Sequence, residues 1–324
     1  MSEARPLNDA VPGLGERIRR VVLPGQGPSS TVADTRTDRV LAGILWMLAA
    51  SVFFALTSAL AKWTVSRYPV GEVMAMRSLS TFAVTAFFML PQTGLSVYRT
   101  SKPGSHLARG LSQSISQTFT VIAFSLMPLA GAIAINFSAP IWAAILSLIL
   151  LRERPGAARW AVLLIGFVGV VIVAAPKADS LQPGALFALA NAIMYGSVTV
   201  AVRGMTKTES ASTLLIWQVT TVAALHLLLL VFGFVLPTPV DAVMLLAGGL
   251  TNACAQYGWT KALSLAPTAA VSPFYYFTLF WVVAIGFVVW GDVPSLSLMI
   301  GAAIIVVSGL MLLFYETRRR AASA

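Results

Sequence analysis

The chain has 324 residues, 57% of them hydrophobic and only 10% charged, with a mean hydropathy of +0.82 and a formal charge of +10. Soluble domains carry about 25% charged residues, so an ordinary globular protein is excluded. A nucleic-acid partner is not expected either, because the basic residues flank apolar runs, where they orient helices in a bilayer.

Residues 1–39 hold Pro, Gly, Ser, Thr and six Arg with little apolar periodicity, and read as a disordered, solvated tail. The pair Arg19–Arg20 is followed only by "VVLPG", too short an apolar run for a secretion signal, so no cleaved peptide is expected. From residue 40 onward, apolar runs of about 20 residues match the thickness of a bilayer's hydrocarbon core. Pro, Gly and charge divide them into ten predicted helices: 40–62, 70–90, 106–127, 129–151, 157–175, 181–203, 211–236, 240–264, 268–290 and 295–315. The alternating segments of a membrane β-barrel are missing. Connections such as "MPL" (127–129) and "APT" (266–268) are short enough to force antiparallel neighbours.

With the N-terminus in the cytoplasm, eighteen of the 22 Lys and Arg residues fall on the cytoplasmic side. Only Lys62, Arg67 and Lys177 face outward, and Arg77 lies inside the second span. That bias predicts that both termini are cytoplasmic. The triplet Arg318–Arg320 is read as holding the C-terminus at the anionic leaflet.

The runs also repeat. "LSQSISQTF" (111–119) and "LTNACAQYG" (250–258) align with a shift of 139, which lays Gln113 on Asn252 and Gln117 on Gln256. "GILWMLAASVFFALTSALAKW" (43–63) aligns without gaps on "GALFALANAIMYGSVTVAVRG" (184–204), and "RERP" (152–155) on "GDVP" (291–294). Each half then holds five helices, an odd number, so the second half enters the membrane from the opposite side. Such inverted repeats are a ground plan of secondary transporters, with the site at the repeat interface.

In order, spacing and duplication the chain resembles the EamA type of the drug/metabolite transporter superfamily. The likeness covers about 40–316. It is carried best by 125–173, by the Gly-led sixth span, and by "YPVGEVMAMRSL" (68–79), which puts Arg77 in the family's Arg position. The fold expected is an all-α polytopic membrane protein of ten transmembrane helices, as two inverted five-helix repeats. The layout is tail 1–39, repeats 40–176 and 181–316, and a basic tail 317–324, in a bacterial inner membrane. The resemblance implies a central cavity lined by spans one, three, four, six, eight and nine, with spans five and ten peripheral.

Polar side chains at mid-depth in hydrocarbon need partners or a wet cavity. Gln113, Gln117, Asn252 and Gln256 lie near the middle of spans three and eight, and their recurrence in both halves favours substrate binding. Hydrogen-bonded packing between helices, worth about 0.6 kcal/mol per group, is the alternative. Asn136, Asn191, Tyr195, Tyr275 and Tyr276 are further substrate-binding candidates; Trp142, Tyr257 and Trp259 are weaker, because aromatics near span ends serve as interface anchors. Pro140 and Pro273 should kink spans four and nine and act as hinges. Arg77 is the deepest cation; snorkelling or structural pairing is expected of it, with attraction of an anionic group at the outer mouth as the alternative.

No catalytic set appears: there is no HExxH, no Ser–His couple and no paired Asp within the spans, so no enzyme, cofactor or metal is expected. Cys254 is the single cysteine, which excludes an intrachain disulfide. Glu72, Glu153, Asp241 and Asp292 all fall at span ends, which argues against a proton carrier at the midplane and for exchange, facilitated diffusion or coupling to the charge of the substrate itself. The expected function is a secondary carrier or exchanger of a small polar metabolite such as an amino acid, nucleoside or vitamin-like compound. Export is favoured on family grounds. Uptake of a vitamin or cofactor, or a non-transporting receptor, are the alternatives. Its partners would be the small-molecule substrate and the lipid bilayer, with the chain a monomer or homodimer.

Overall fold

The computed structural model describes residues 29–150, 157–174, 182–205, 209–266 and 268–323, and among them it contains no strand. Twelve α-helices occur in these segments. They are α1 (Ser29–Val65), α2 (Val70–Thr93), α3 (Pro103–Leu126), α4 (Leu129–Asn136), α5 (Ala139–Leu150) and α6 (Ala157–Ala174). The second half continues with α7 (Pro183–Met205), α8 (Ala211–Leu228), α9 (Pro239–Leu265), α10 (Thr268–Tyr275), α11 (Phe277–Trp290) and α12 (Leu296–Ser323). Short 3₁₀ turns cover Leu95–Tyr98 and Leu229–Phe232.

Four helical stretches, Arg39–Val65, Val70–Thr93, Ser212–Phe232 and Pro273–Trp290, are long and apolar enough to cross a membrane, and shorter apolar helices accompany them. Large apolar side chains such as Phe87, Phe88, Val231 and Phe232 are turned outward, as lipid contact requires. The chain is a multi-pass membrane protein. Helices α3 and α9, with 24 and 27 residues, are equally long but carry the polar stripes.

Most predicted bounds agree with the helices within three residues; α12 runs on to Ser323, past the predicted 315 and into the stretch read as a basic tail, and three other places differ. Helix α1 starts at Ser29, inside the stretch read as a tail; residues 1–28 lie outside the described residues, as do Glu153, Lys177 and the 152–155 run. The seventh predicted span reaches 236, but α8 stops at Leu228 and the chain is extended from Gly233, whose φ is 147°. This extension delivers the Val235 N–H to the Glu72 carboxylate at 2.9 Å and the Thr238 N–H to the Tyr68 hydroxyl at 3.2 Å.

The third difference is that spans four and nine are each two helices. Pro140 has no N–H, so the Asn136 carbonyl loses its helical donor. The chain turns at Phe137–Ser138, and α5 restarts with the Ile141 and Trp142 N–H groups on the Ser138 carbonyl at 2.8 and 3.3 Å. Pro273 lies inside α10, and the second break follows at Tyr276, where the Leu279 N–H bonds the Tyr276 carbonyl at 3.0 Å. A shift of 139 carries position 137 onto 276. The breaks therefore match between the halves, although one proline follows its break and the other precedes it.

Helix α1 packs along α9 and α7 along α3; α2 lies on α9 and α8 on α3. Each pairing thus has a counterpart with the halves exchanged. Helices α6 and α12 pack on each other, where an added Cβ on Gly169 would come 2.9 Å from the Gly301 carbonyl and the reverse holds equally. Small residues at such crossings let backbones approach, which is what packing in lipid rewards.

Both ends of the bundle are clamped. At one, Lys62 pairs with Asp292 at 3.3 Å and lies over the Trp290 ring, and Arg67 pairs with Asp241 at 3.1 Å over the Trp63 ring. Lys62, read from sequence as an orientation charge, is therefore also a tie between α1 and the 291–295 connection. At the other end, Thr100 donates to Glu209 at 2.7 Å, the His106 ring stacks on Trp217, and Arg109 donates to the Leu214 carbonyl at 2.8 Å.

Candidate binding site

The polar stripes of α3 and α9 meet at one turn of α2. Gly249 on α9 allows this. An added Cβ there would collide with the Arg77 carbonyl and the Ser80 side chain, so the two backbones touch. Across that contact Ser80 donates to the Leu246 carbonyl at 2.8 Å. One turn along α2, the Thr81 hydroxyl donates to the Arg77 carbonyl at 2.9 Å and accepts from Asn252 Nδ2 at 3.3 Å. Arg77, only 9% exposed, sends Nη2 to Gln117 Oε1 on α3 at 3.1 Å. Arg77 and Thr81 are four residues apart and lie on one face of α2. Gln117 of the first half and Asn252 of the second are thereby tied to neighbouring residues of the same helix.

Of the two roles expected of Arg77, snorkelling and structural pairing, the structure shows the pairing. It does not snorkel: the guanidinium is buried between α2 and α3 and holds a predicted site residue. The sequence signal was its depth, about seven residues into the span.

A second polar group lies on the other side of α3. Ser116 donates to Asn191 Oδ1 on α7, and Asn191 Nδ2 donates to Asn136 Oδ1 at 2.8 Å, at the last residue of α4. The chain Ser116–Asn191–Asn136 so joins α3, α7 and the break before Pro140. Ser116, Ser138 and Asn191 are all buried. Tyr275 packs edge-on against Phe54 and Phe137, at 5.5 and 5.4 Å between ring centres, and Tyr276 against Phe137 at 5.1 Å.

The remaining candidates are not drawn into these two groups. Gln113 is buried, yet its amide makes no hydrogen bond among the described residues; the same is true of the half-buried Gln256 amide. The Tyr276 hydroxyl lies against Gly309 of α12, on the side of the peripheral pair. Tyr195 follows Asn191 by one turn and is 46% exposed. Trp142 donates to Ser138 Oγ at 3.1 Å, bracing the break, while Tyr257 packs on Trp46 at the surface.

A cavity of about 380 Å³ opens where the α3–α4 and α11–α12 connections meet, lined by Met127, Gly131, Gln182, Gly286, Asp292 and Ser295 among others. It shares no lining residue with either polar group. Val173 of α6 and Leu298 of α12 also border it, so the spans expected to be peripheral contribute to this wall.

Sequence reasoning missed two glycines. Gly110 and Gly249 precede Gln113 and Asn252 by three residues and are themselves related by the shift of 139. An added Cβ on Gly110 would collide with Thr221 of α8, as one on Gly249 would with Ser80 of α2. The signal was present as "GLSQSISQ" against "GLTNACAQ".

The EamA-like transporter family model matches this chain twice, over residues 41–175 and 182–315, and the chain belongs to that family. Its relatives include a riboflavin transporter of Rhizobium johnstonii, 29% identical over 90% of this chain and 97% of the relative. An S-adenosylmethionine uptake transporter of Rickettsia bellii is 25% identical over 85% of this chain and 94% of its own length. A pseudopaline exporter of Pseudomonas aeruginosa is 24% identical over 85% of this chain and 97% of its own. One solved crystal structure, 26% identical, superposes with a TM-score of 0.59 and covers 88% of this chain and 99% of the other. The chain is thus a transporter-family protein of small metabolites, and the same relatives speak against an enzyme.

Proposed function

We propose that this chain is a secondary carrier of ten membrane crossings, arranged as two inverted five-helix halves with both termini cytoplasmic. Its cargo would be a small heteroaromatic metabolite of the vitamin or cofactor kind. The observation that carries the reading is the convergence of Gln117 and Asn252, from the polar stripes of the two halves, on one turn of α2. A site assembled from both halves can change its exposure when the halves rock against each other.

Four observations support the layout. Counting α4 with α5, and α10 with α11, as single broken crossings gives ten. The breaks fall at matching positions, the helix pairings exchange between halves, and the family model matches twice. The breaks beside Pro140 and Pro273 would be the hinges, since backbone already out of the helical ladder bends at low cost. The cargo class follows from the riboflavin and S-adenosylmethionine relatives together with the Tyr275, Phe54 and Phe137 ring cluster, because such rings stack on flat heteroaromatic molecules. Both an uptake transporter and an exporter occur among the relatives, so likeness carries the class and not the direction.

The test is counterflow in proteoliposomes preloaded with riboflavin or S-adenosylmethionine, with the protein inserted in known orientation. Accelerated entry of labelled cargo is the expected result, and asymmetry between orientations reads the direction. No counterflow of either compound, nor of amino acids or nucleosides, overturns the carrier reading. Orientation is tested by labelling single cysteines in a Cys254-free background. Reaction at residues 30–38 with an impermeant reagent outside intact cells would overturn it.

A further inference from the structure

Arg77 is a cation inside an apolar bundle, and nothing described around it neutralises its charge. Nη2 donates to the neutral Gln117 amide at 3.1 Å and lies 3.6 Å from the Met74 sulfur. Among the described residues no carboxylate lies within ion-pair distance of it. Glu72, five residues earlier on the same helix, is engaged by the Val235 N–H. Nε and Nη1 have no hydrogen-bond partner among the described residues, yet they are not sealed in as Glu72 Oε1 and His226 Nδ1 are. Two of the three guanidinium nitrogens therefore have no protein partner among the described residues.

A buried charge without a counter-charge is destabilising unless something else requires it, and in membrane spans that requirement is functional. The guanidinium edge formed by Nε and one Nη is the flat pair of donors that a carboxylate or phosphate engages with two parallel bonds. Gln117 takes one hydrogen of Nη2, the nitrogen common to both edges of the group, which steadies the guanidinium and leaves Nε, Nη1 and the second Nη2 hydrogen as donors. The second half offers no equal. Shifts of 139 to 141 carry Arg77 onto Ile216, Trp217 or Gln218, none of them charged.

We propose that Arg77, steadied by Gln117, receives an anionic group of the transported molecule, so that the cargo is a heteroaromatic compound carrying a carboxylate or a phosphate. This rests on the carrier reading above and narrows its substrate class. Arg77 binds the cargo, and Gln117 acts as a positioning residue for it. Without cargo the guanidinium stands uncompensated, and the anionic group completes it.

The experiment compares cargo pairs that differ only in the anionic group. These are flavin mononucleotide against riboflavin, and S-adenosylmethionine against its decarboxylated form. Binding to the purified full chain in detergent is followed by tryptophan fluorescence, and counterflow is measured in proteoliposomes. In at least one pair the wild type should bind the anionic member about tenfold or more tightly than the other. Arg77→Gln should abolish that preference by weakening the member that carries the anionic group far more than the one that lacks it, and Arg77→Lys should restore part of it. The pairs also separate a phosphate receptor from a carboxylate receptor.

Melting of the empty protein is the second readout. Arg77→Gln should melt no lower than wild type, because a residue kept for cargo contributes nothing to the empty fold. A fall in melting temperature, equal affinity within both pairs in the wild type, or an equal loss of both members in Arg77→Gln would overturn the proposal. If the compounds lacking the anionic group are carried and Arg77→Gln changes nothing, this proposal fails and the carrier reading stands. If no member of either pair is bound or carried, both fail.

Discussion

The amide pair on α3 and the pair on α9 occupy matching positions of the two halves, yet they are held differently. On α3, Gln117 is fixed by the buried Arg77 guanidinium and Gln113 is buried. On α9, Asn252 has one long bond to the Thr81 hydroxyl, at 3.3 Å, and the Gln256 amide has no hydrogen-bond partner among the described residues. Duplication supplied one pattern, and a single unmatched cation on α2 made one copy a charged centre and left the other neutral. What the two copies still share is the glycine three residues upstream, which sets each stripe against its neighbouring helix at close range.

The shared feature gives the largest expected effect. Gly110→Leu and Gly249→Leu should each cost about 3 kcal/mol or more, the upper end of overpacking, because Thr221 is β-branched and the Arg77 carbonyl belongs to a helix that cannot rotate aside. Thermal unfolding in detergent measures this. A large loss from only one of the two would show that the seams are not equivalent.

The contrast between the pairs comes next. Gln117→Ala removes the hydrogen-bond acceptor of a buried cation and should cost about 1.5–3 kcal/mol. Gln256→Ala should cost no more than the roughly 0.6 kcal/mol typical of polar groups between membrane helices. Equal losses of stability would erase the distinction. A loss of counterflow in Gln256→Ala at unchanged folded yield would sharpen it, assigning Gln256 to the transport path and not to packing.

Asn191→Ala tests the second polar group. It strands both Ser116 on α3 and Asn136 at the α4 break, and should cost about 1–2 kcal/mol in melting. Asn252→Ala, by contrast, releases one long bond and should shift melting by about a third as much. If Asn252→Ala is the more damaging, α9 is the anchored side and the comparison is reversed.

The smallest effect is expected at the carboxylates. Asp241 and Asp292 are tied to Arg67 and Lys62 at one end of the bundle, and Glu72 to the Val235 N–H. Asp241→Asn, Asp292→Asn and Glu72→Gln should leave accumulation across an imposed pH gradient unchanged in proteoliposomes. Should one of them abolish pH-driven accumulation while counterflow survives, that carboxylate is a proton carrier and exchange is not the mechanism.

Composition and the length of apolar runs determined by themselves that this chain is a helical membrane protein, because hydrocarbon tolerates only segments whose backbone bonds are satisfied internally. The 139-residue shift by itself also singles out Gln113, Gln117, Asn252 and Gln256, because amides recurring at one spacing stand out against apolar surroundings. Periodicity could not tell where a helix pauses. A proline announces a bend, but its direction and the residue that breaks depend on which neighbour satisfies the freed carbonyl, so Phe137–Ser138 and Tyr276 became visible only in three dimensions. Partners across helices were equally out of reach. That Arg77 turns inward to Gln117, that Asn191 bridges Ser116 and Asn136, and that the Tyr276 hydroxyl leaves the centre for Gly309 are decided by which helix faces lie together. A one-dimensional pattern fixes the faces of each helix but not their neighbours; close approach at Gly110 and Gly249 brings those neighbours into hydrogen-bonding range.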